Sequence, residues 1–129
     1  AEELGASDRI KVIDSANLST GIGLLVVEAA IMAKNNRTAS QIVSEIEKLK
    51  PNVRASFVVD TLTYLYRGGR CNAVAAMAGG VLKLHPRIVV EDGAMNASKK
   101  YRGKIASVVM NYVKDMEKDL KKRDLNAYL

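Results

Sequence analysis

The chain has 129 residues, of which 48% are hydrophobic and 26% are charged, and 20 Lys and Arg against 14 Asp and Glu give a formal net charge of +6. This composition is typical of one folded domain with a real core, and it excludes a disordered chain. A single cysteine and a single histidine argue against a disulfide framework and against a zinc site, and a reducing cytoplasm is the expected location. No apolar run approaches the roughly 20 residues of a membrane span, so no transmembrane segment is predicted.

The first part of the chain predicts a strand between helical segments. The first five residues have the pattern of a last helical turn that ends at Gly5. Residues 10–13 predict a short strand, and a glycine-rich loop leads from it into a nearly all-apolar helix at about residues 24–33, which we expect to be buried. Thr38 and Gln41 form a capping box that predicts a second, amphipathic helix on the surface.

The middle of the chain continues this alternation. Residues 55–59 predict a buried strand, and Asp60 or Thr61 is the expected cap of a short helix that ends at two adjacent glycines. Strand, helix, strand and helix in this order imply an α/β fold, with parallel strands joined by crossover helices. We therefore predict a single α/β domain in which helices pack on a parallel or mixed sheet.

A helix and a hairpin are predicted in the second half of the chain. Asn72 is the expected N-cap of a helix that runs from residue 73 to about residue 84, and His85 is expected to cap its C-terminal end. A two-residue Asp-Gly turn then predicts a hairpin of two strands, at residues 87–90 and 95–98.

The last predicted helix begins at about residue 99 and combines one continuous apolar stripe with a lysine-rich opposite face. Residues 99–129 hold nine Lys and Arg against four acids, so most of the net positive charge lies here. A solvated helix face explains this excess, and no nucleic-acid partner is expected because aromatic residues do not alternate with the arginines. The alternative is a module that binds nucleic acid or an acidic partner through Lys99, Lys100, Arg102 and Lys104.

Two glycines between two arginines, at residues 67–70, raise the question of a binding site. Each glycine costs about 1 kcal/mol relative to alanine inside a helix, so Gly68 and Gly69 predict a turn. If a helix starts at Asn72, its unpaired N–H groups, its dipole and Arg70 make a site for a carboxylate or a phosphate. On the residues alone, a plain corner between two helices, with Arg70 in water or paired with an acid, stays an alternative.

The loop at residues 14–23, DSANLSTGIG, leaves a similar choice open. Hydroxyl groups and glycines after a predicted strand occupy the usual ligand side of an α/β sheet, but helix caps and turns use the same residue types. A nucleotide phosphate loop is not expected because the Walker lysine is missing. The acids of the chain lie scattered without a neighbouring histidine, so no catalytic residue and no metal ligand is predicted.

The order of these motifs resembles the DegV family of bacterial fatty-acid-binding proteins. The motifs are VIDS, then S-x-G-x-G at the start of an apolar helix, FVVDTLTYLYRGGR, HP, E-D-G and K-x-R-G. The resemblance implies a protein that encloses a long-chain fatty acid and presents its carboxylate to a separate kinase, which makes the acyl phosphate. The binding protein would then do no chemistry itself and would need no cofactor.

The resemblance also implies which residues bind the ligand. It places Arg70, the arginine after the two glycines, at the carboxylate, with the turn of Gly68 and Gly69 giving access. Core packing is the alternative role of each apolar candidate. These candidates for the acyl chain lie near the glycine-rich loops or on the helix that follows: Ile22, Leu62, Met77 and Val81.

The resemblance further implies an internal piece of a longer protein. The family's N-terminal D-S-T and S-G-T segments and its C-terminal histidine-bearing stretch are missing, so residues 1–129 are expected to be the central part of a longer two-domain protein. Because those segments complete the carboxylate site, we expect weak or no fatty-acid binding by this chain alone. Exposed apolar surface is rarely left in water, so homo-oligomers are expected.

Overall fold

The computed structural model of the chain describes residues 2–69 and 84–121. In these ranges it contains seven regular elements besides two short 3₁₀ turns, Glu2–Leu4 and Lys50–Asn52. Helices together with a three-stranded sheet confirm the prediction of an α/β fold. The elements are α1 (Thr20–Lys34), α2 (Ala39–Leu49), β1 (Ala55–Val58), α3 (Thr63–Arg67), β2 (Leu84–Glu91), β3 (Ala94–Arg102) and α4 (Ile105–Lys121).

Two compact units make up the chain. The N-terminal unit comprises Ala1–Ala55 and the hairpin tip Val90–Ala94, and the C-terminal unit comprises Ser56–Val89 and Met95–Leu129. Helices α1 and α2 belong to the first unit, whereas α3, α4 and most of the sheet belong to the second. The helix that the sequence predicts at residues 73–83 lies outside the described residues.

In the N-terminal unit, α2 packs against α1 and begins with the predicted capping box. The Thr38 Oγ1 accepts from the Gln41 N–H at 3.3 Å, and the Gln41 Oε1 accepts from the Thr38 N–H at 3.0 Å. The amphipathic pattern of α2 is confirmed, because Ile46 is buried on its apolar side. Gly5 ends the first turn of the chain with a φ of 57°, as predicted, although that turn is a 3₁₀ turn.

The strand predicted at residues 10–13 is wrong. The chain has no regular secondary structure from residue 10 to residue 15, and Val12 is 83% exposed. Local sequence sets only a propensity for β-structure, because a strand also needs a neighbour that pairs with its N–H and C=O groups. The sheet formed by the described residues pairs β1, β2 and β3, and this segment is not part of it.

Helix α1 forms where it is predicted and is longer at both ends, but it is not buried. Leu24, Val26 and Val27 are 58%, 59% and 56% exposed, and its buried residues are Gly21 and Leu25. An all-apolar helix needs cover on every side, whereas one neighbouring helix covers only one side. The expectation of a buried helix is therefore wrong for the described chain.

The sheet of the C-terminal unit has the strand order β1-β2-β3, so β2 is the middle strand. Asp92 and Gly93, with φ angles of 52° and 75°, form the two-residue turn between β2 and β3, which makes the two strands the predicted antiparallel hairpin. Ile88 of β2 has no exposed surface and forms the core with Leu62. Partly buried apolar side chains pack around this pair: Phe57, Val59, Leu65, Met95 and Ala97.

Several predicted boundaries in the C-terminal unit are wrong. Leu84 and His85 begin β2, where the sequence predicts the end of a helix. Strand β3 continues to Arg102, where the sequence predicts the start of the last helix. Gly103, with a φ of 123°, follows the strand, and α4 starts at Ile105. The pairing of β3 with β2 sustains the longer strand, and a local charge pattern does not reveal such pairing.

Candidate functional site

The double glycine forms the turn that the sequence predicts. The N–H groups of Gly68 and Gly69 donate to the carbonyl oxygens of Tyr64 and Tyr66 at 2.9 and 3.0 Å. Gly69 has a φ of 63°, in the left-handed region that favours glycine, whereas Gly68 has an ordinary helical φ of −74°. The turn therefore ends α3 directly before Arg70.

Among the described residues, no atom lies within 4 Å of a Cβ placed on Gly69. The left-handed φ of Gly69 is the reason that the described chain gives for a glycine there. At the other end of α3, the residue directly before the helix is Leu62, which makes no side-chain cap bond. The Thr61 Oγ1 accepts from the Thr63 N–H at 3.3 Å, so of the two predicted caps Thr61 does satisfy a first-turn donor of α3. Leu62 is 7% exposed, and its place in the core fixes where the helix starts.

The residues predicted to bind a ligand fall in different parts of the chain. Arg70, Met77 and Val81 lie outside the described residues. Ile22 lies on α1 in the N-terminal unit and is 41% exposed. Leu62 lies in the core of the C-terminal unit. Contact of these side chains with a fatty acid stays a prediction.

The loop at residues 14–19 is organised around Asn17. The Asn17 Oδ1 accepts from the Leu18 N–H at 3.0 Å, and its Nδ2 donates to the Val53 carbonyl oxygen at 3.3 Å. The Ser15 hydroxyl donates to the Asn17 carbonyl oxygen and accepts from the Asn17 N–H, both at 3.2 Å. These two polar side chains hold the loop itself in place, which is the structural role that the sequence leaves open beside ligand binding.

Two glycines are matched to this loop. A Cβ on Gly21 would collide with the Asn17 Oδ1, so close approach requires glycine there. A Cβ on Gly93, at the hairpin tip, would lie 3.7 Å from the Ala16 Cα. The N-cap residue of α1, Ser19, makes no side-chain hydrogen bond to the helix. The D-S-A-N loop and the E-D-G turn, far apart in the sequence, therefore meet in the N-terminal unit.

Polar contacts in the C-terminal unit tie α4 to the first two strands. The Tyr112 hydroxyl donates to the carbonyl oxygen of Ser56 on β1 at 2.7 Å. Arg87 on β2 donates to the Asp119 carboxylate at 3.1 Å, and its guanidinium lies 5.8 Å from the centre of the Tyr112 ring. These bonds fix the position of α4 over the strands.

The third strand is tied to α4 through Asp115. The Lys99 Nζ and the Tyr101 hydroxyl both donate to the Asp115 Oδ2, at 2.6 and 2.8 Å. The hydrogen bond from Lys99, and then that from Tyr101, lower the pKa of Asp115 from its usual 3.8. Burial, and then the bond to Asp115, raise the pKa of Tyr101 to about 12.

The pairing of Lys99 also reduces the basic surface that the sequence offers to an acidic partner. Lys99 belongs to the contact with Asp115. Lys100, Arg102 and Lys104 are exposed. All four residues of that alternative are therefore at the surface, and Lys99 differs from the other three in its ion pair with Asp115.

His85 is not a helix cap, contrary to the prediction. It lies near the start of β2 and is 4% exposed. Its Nδ1 is 3.0 Å from the Val59 carbonyl oxygen, and its Nε2 is 3.1 Å from the Gly103 carbonyl oxygen. Sequence reasoning missed this role, although the apolar run LHPRIVV around the histidine was a signal of burial.

A groove of about 410 Å³ lies between α1 and α2. Met32 and Leu49 line it, but so do Glu28, Arg37 and Glu45. Charged groups lose their hydration when apolar chains cover them, so this lining does not suit an acyl chain. The groove is therefore not our candidate for a lipid site.

The described ranges contain neither a metal-binding cluster nor a membrane-spanning helix. Within residues 2–69 and 84–121, no three His, Cys, Asp or Glu side chains are grouped so that they could hold a metal ion. The helices described there are also too short or too polar to cross a bilayer. The polar contacts of these ranges hold backbone segments and α4 in place.

Comparison with known sequences gives one family. A sequence model described as "Uncharacterised protein, DegV family" matches residues 1–126. A DegV domain-containing protein of Caldanaerobacter subterraneus is 35% identical over 127 residues, which are 97% of this chain and 45% of that protein. The chain thus spans less than half the length of the curated relatives it matches.

Solved structures of similar fold carry names that refer to fatty acids. DegV of Bacillus subtilis, a fatty-acid-binding protein, is 30% identical with a TM-score of 0.65, over 85% of this chain and 39% of that one. A stearic-acid-binding protein of Eubacterium ventriosum is 27% identical with a TM-score of 0.69, over 92% of this chain and 44% of that one. Both share the fold of the chain described here.

Proposed function

The chain belongs to the DegV family, and on that premise we propose that it binds a long-chain fatty acid. The observation that carries the proposal is the likeness to the fatty-acid-binding DegV protein of Bacillus subtilis, at 30% identity over 85% of the chain. The turn at Gly68 and Gly69 adds support, because two residues without side chains let a ligand approach the backbone there. Arg70 follows this turn and can hold a carboxylate through two parallel hydrogen bonds.

We propose that the acyl chain is bound by apolar side chains and not by polar contacts. Each buried methylene group contributes about 0.8 kcal/mol, so a long chain supplies most of the affinity and the carboxylate supplies its orientation. The apolar candidates remain those predicted from the sequence: Ile22, Leu62, Met77 and Val81.

Replacement of Arg70 tests the carboxylate contact. In the full-length protein, Arg70→Ala should weaken binding of stearic acid by about tenfold or more, because a hydrogen bond to a charged group contributes about 1.5–3 kcal/mol. Binding of octadecanol, which has no carboxylate, should hardly change. Fluorescence displacement or calorimetry measures both affinities.

Arg67→Ala is the matched control for Arg70→Ala. Arg67 is also basic and lies on the other side of the two glycines, where it is exposed. Arg67→Ala should leave the affinities for stearic acid and octadecanol unchanged. Equal losses for the acid and the alcohol in Arg70→Ala, or equal losses in both variants, would remove Arg70 from the head-group role.

We further propose that the protein performs no chemistry and that a separate kinase phosphorylates the bound carboxylate. Gly68 and Gly69 are exposed, so a head group beside them is accessible to a second protein. When the full-length protein alone is incubated with labelled stearate and ATP, no acyl phosphate should form. Hydroxylamine, which converts an acyl phosphate to a hydroxamate, detects any product. A kinase from the same organism should restore the product, whereas product formed without it would contradict the proposal.

The chain of residues 1–129 alone should bind fatty acid weakly and should self-associate. The exposed apolar residues of α1 support self-association, because contiguous apolar surface favours contact with another protein. Tight one-to-one binding of stearate in calorimetry would contradict the first expectation. A strictly monomeric species in light scattering at high concentration would contradict the second.

A further inference from the structure

Helix α4 carries a second apolar face besides the one that meets the sheet. On the sheet side, Val108 has no exposed surface, and Tyr112 donates to the Ser56 carbonyl oxygen of β1. One residue further along, which is about 100° further round the helix, a second line of apolar side chains begins. We call this line the outer stripe, and its members are Val109, Val113, Met116 and Leu120.

The described chain leaves most of the outer stripe in water. Val109, Val113 and Leu120 are 40%, 51% and 49% exposed, and Met116 is partly buried. Rotation of α4 cannot bury them, because side chains on its other side are hydrogen-bonded to all three strands. The outer stripe is thus an apolar surface of the kind that contacts another protein.

The spacing of the outer stripe indicates the shape of partner that it fits. Its members are four, three and four residues apart. This is the spacing of positions a and d in a coiled coil, where side chains of one helix insert between those of another. A β-strand repeats its side chains every second residue and does not match this spacing. The stripe therefore fits a helix that lies nearly along the axis of α4.

The same spacing reads identically from either end of the helix, so the outer stripe is complementary to itself. When a second α4 lies antiparallel about a two-fold axis, Val109 faces Leu120 of the second copy, and Val113 faces Met116 of the second copy. Every apolar member then has an apolar counterpart, and each contact occurs twice, as two-fold symmetry requires. We infer that the outer stripe is the surface through which two copies of the chain associate.

The charges beside the outer stripe fit the same arrangement. Lys114 directly follows Val113, and Glu117 directly follows Met116, so the two charged residues lie along one edge of the stripe, and both are exposed. In the antiparallel pair, this edge of one helix meets the same edge of the other, which brings Lys114 of each copy to Glu117 of the second copy. Opposite charges therefore meet twice. A partner helix with charges of one sign along its edge would oppose one of the two residues.

The two aspartates of α4 do not disturb this complementarity. Asp115 accepts from Lys99 and Tyr101, and Asp119 accepts from Arg87, so their charges belong to the sheet side. These bonds also order α4 before any association, so a seam of about three turns requires little further ordering of the chain. We expect a weak, concentration-dependent dimer. The inference goes beyond the proposed function, because the contact needs no fatty acid.

Sedimentation of the full-length protein without fatty acid tests the apolar part of the contact. Val113→Glu places a carboxylate in the centre of the seam and should weaken self-association by about a hundredfold or more. Asn111→Glu, at an exposed position of α4 away from the outer stripe, adds the same charge and should leave the dimer affinity within about twofold of the wild type. Circular dichroism confirms the fold of each variant.

Charge reversal tests the edge of the outer stripe. Lys114→Glu and Glu117→Lys each bring like charges together in the pair and should each weaken self-association by about threefold to tenfold at low salt. The double variant with both reversals should recover the affinity of the wild type. An equimolar mixture of the two single variants should also associate as well as the wild type, because each supplies the charges that the other needs.

The opposite outcomes overturn the inference. A full-length protein that stays monomeric up to about 1 mM would mean that another segment covers the outer stripe. A dimer that persists in Val113→Glu would place the contact elsewhere on the surface. Failure of the mixed single variants to associate would exclude the antiparallel, symmetric contact. If Val113→Glu does not fold, the mixture of the charge variants alone decides.

Discussion

The two units of the chain place their apolar residues differently. In the C-terminal unit, Ile88 of β2 and Val108 of α4 have no exposed surface, although Met110 and Val113 of α4 are 58% and 51% exposed. In the N-terminal unit, Leu24, Val26 and Val27 of α1 are each more than half exposed. In the C-terminal unit, α4 is hydrogen-bonded to all three strands, and the apolar side chains between helix and sheet are covered. In the N-terminal unit, α2 is the neighbouring helix of α1 and leaves much of α1 in water. Apolar content alone therefore does not decide burial.

The largest expected change in stability comes from replacing one isoleucine in each unit by alanine and comparing the two losses. Ile88→Ala should lower the free energy of unfolding by about 2–5 kcal/mol, because the side chain is fully enclosed and leaves a cavity. Ile31→Ala, at a position of α1 that is 48% exposed, should change it by about 0.5 kcal/mol or less. Urea unfolding followed by circular dichroism measures both. Equal losses would mean that α1 is covered in solution, and the contrast between the units would disappear.

The predictions that proved right rest on residues close together in the sequence. Thr38 and Gln41 are three positions apart and complete each other's hydrogen bonds. Asp92 and Gly93 adopt the positive φ angles that a two-residue hairpin turn requires. The wrong predictions, the strand at residues 10–13 and the capping role of His85, concern partners distant in the sequence. A local pattern carries no information on such partners.

In the candidate site, too, features set by neighbouring residues could be predicted from the sequence, whereas contacts between distant residues could not. The turn at Gly69 could be predicted because glycine tolerates a left-handed φ and resists a helix interior. The collision that makes Gly21 necessary depends on how Asn17 folds back, which G-x-G spacing does not encode. The pairing of Lys99 with Asp115 likewise requires that Lys99 lie on β3, and the sequence pattern favours a helix there.

The polar contacts that hold α4 give the next largest effect. Tyr112→Phe removes the donor to the Ser56 carbonyl oxygen and should cost about 1.5 kcal/mol of unfolding free energy, because that oxygen is left without this partner. Tyr64→Phe, at a position that is 76% exposed, is the matched control and should change stability very little. Similar effects of the two changes would show that the bond from α4 to β1 does not stabilise the C-terminal unit.

A smaller effect is expected from the capping box in the N-terminal unit. Thr38→Ala removes the side-chain oxygen that accepts from the Gln41 N–H and should cost about 1 kcal/mol. Ser44→Ala, at an exposed position inside α2, should be neutral or slightly stabilising because alanine favours a helix. Helical circular dichroism during thermal unfolding measures both. Loss of stability in Ser44→Ala alone would contradict this account of α2.

The smallest effect at neutral pH belongs to Asp115, because its partner Lys99 is 57% exposed and water screens the pair. The pKa of Asp115 is lower in the folded chain than its usual 3.8, so the fold favours the carboxylate. The resulting stabilisation is present above about pH 4 and is lost as the pH falls through the lowered pKa. Asp115→Asn should therefore be less stable than the wild type at about pH 7 and should lose this deficit at about pH 2. Asp8→Asn, at an exposed position of the N-terminal unit, should show no such convergence, and a deficit of Asp115→Asn that persists in acid would mean that shape, not charge, holds β3 to α4.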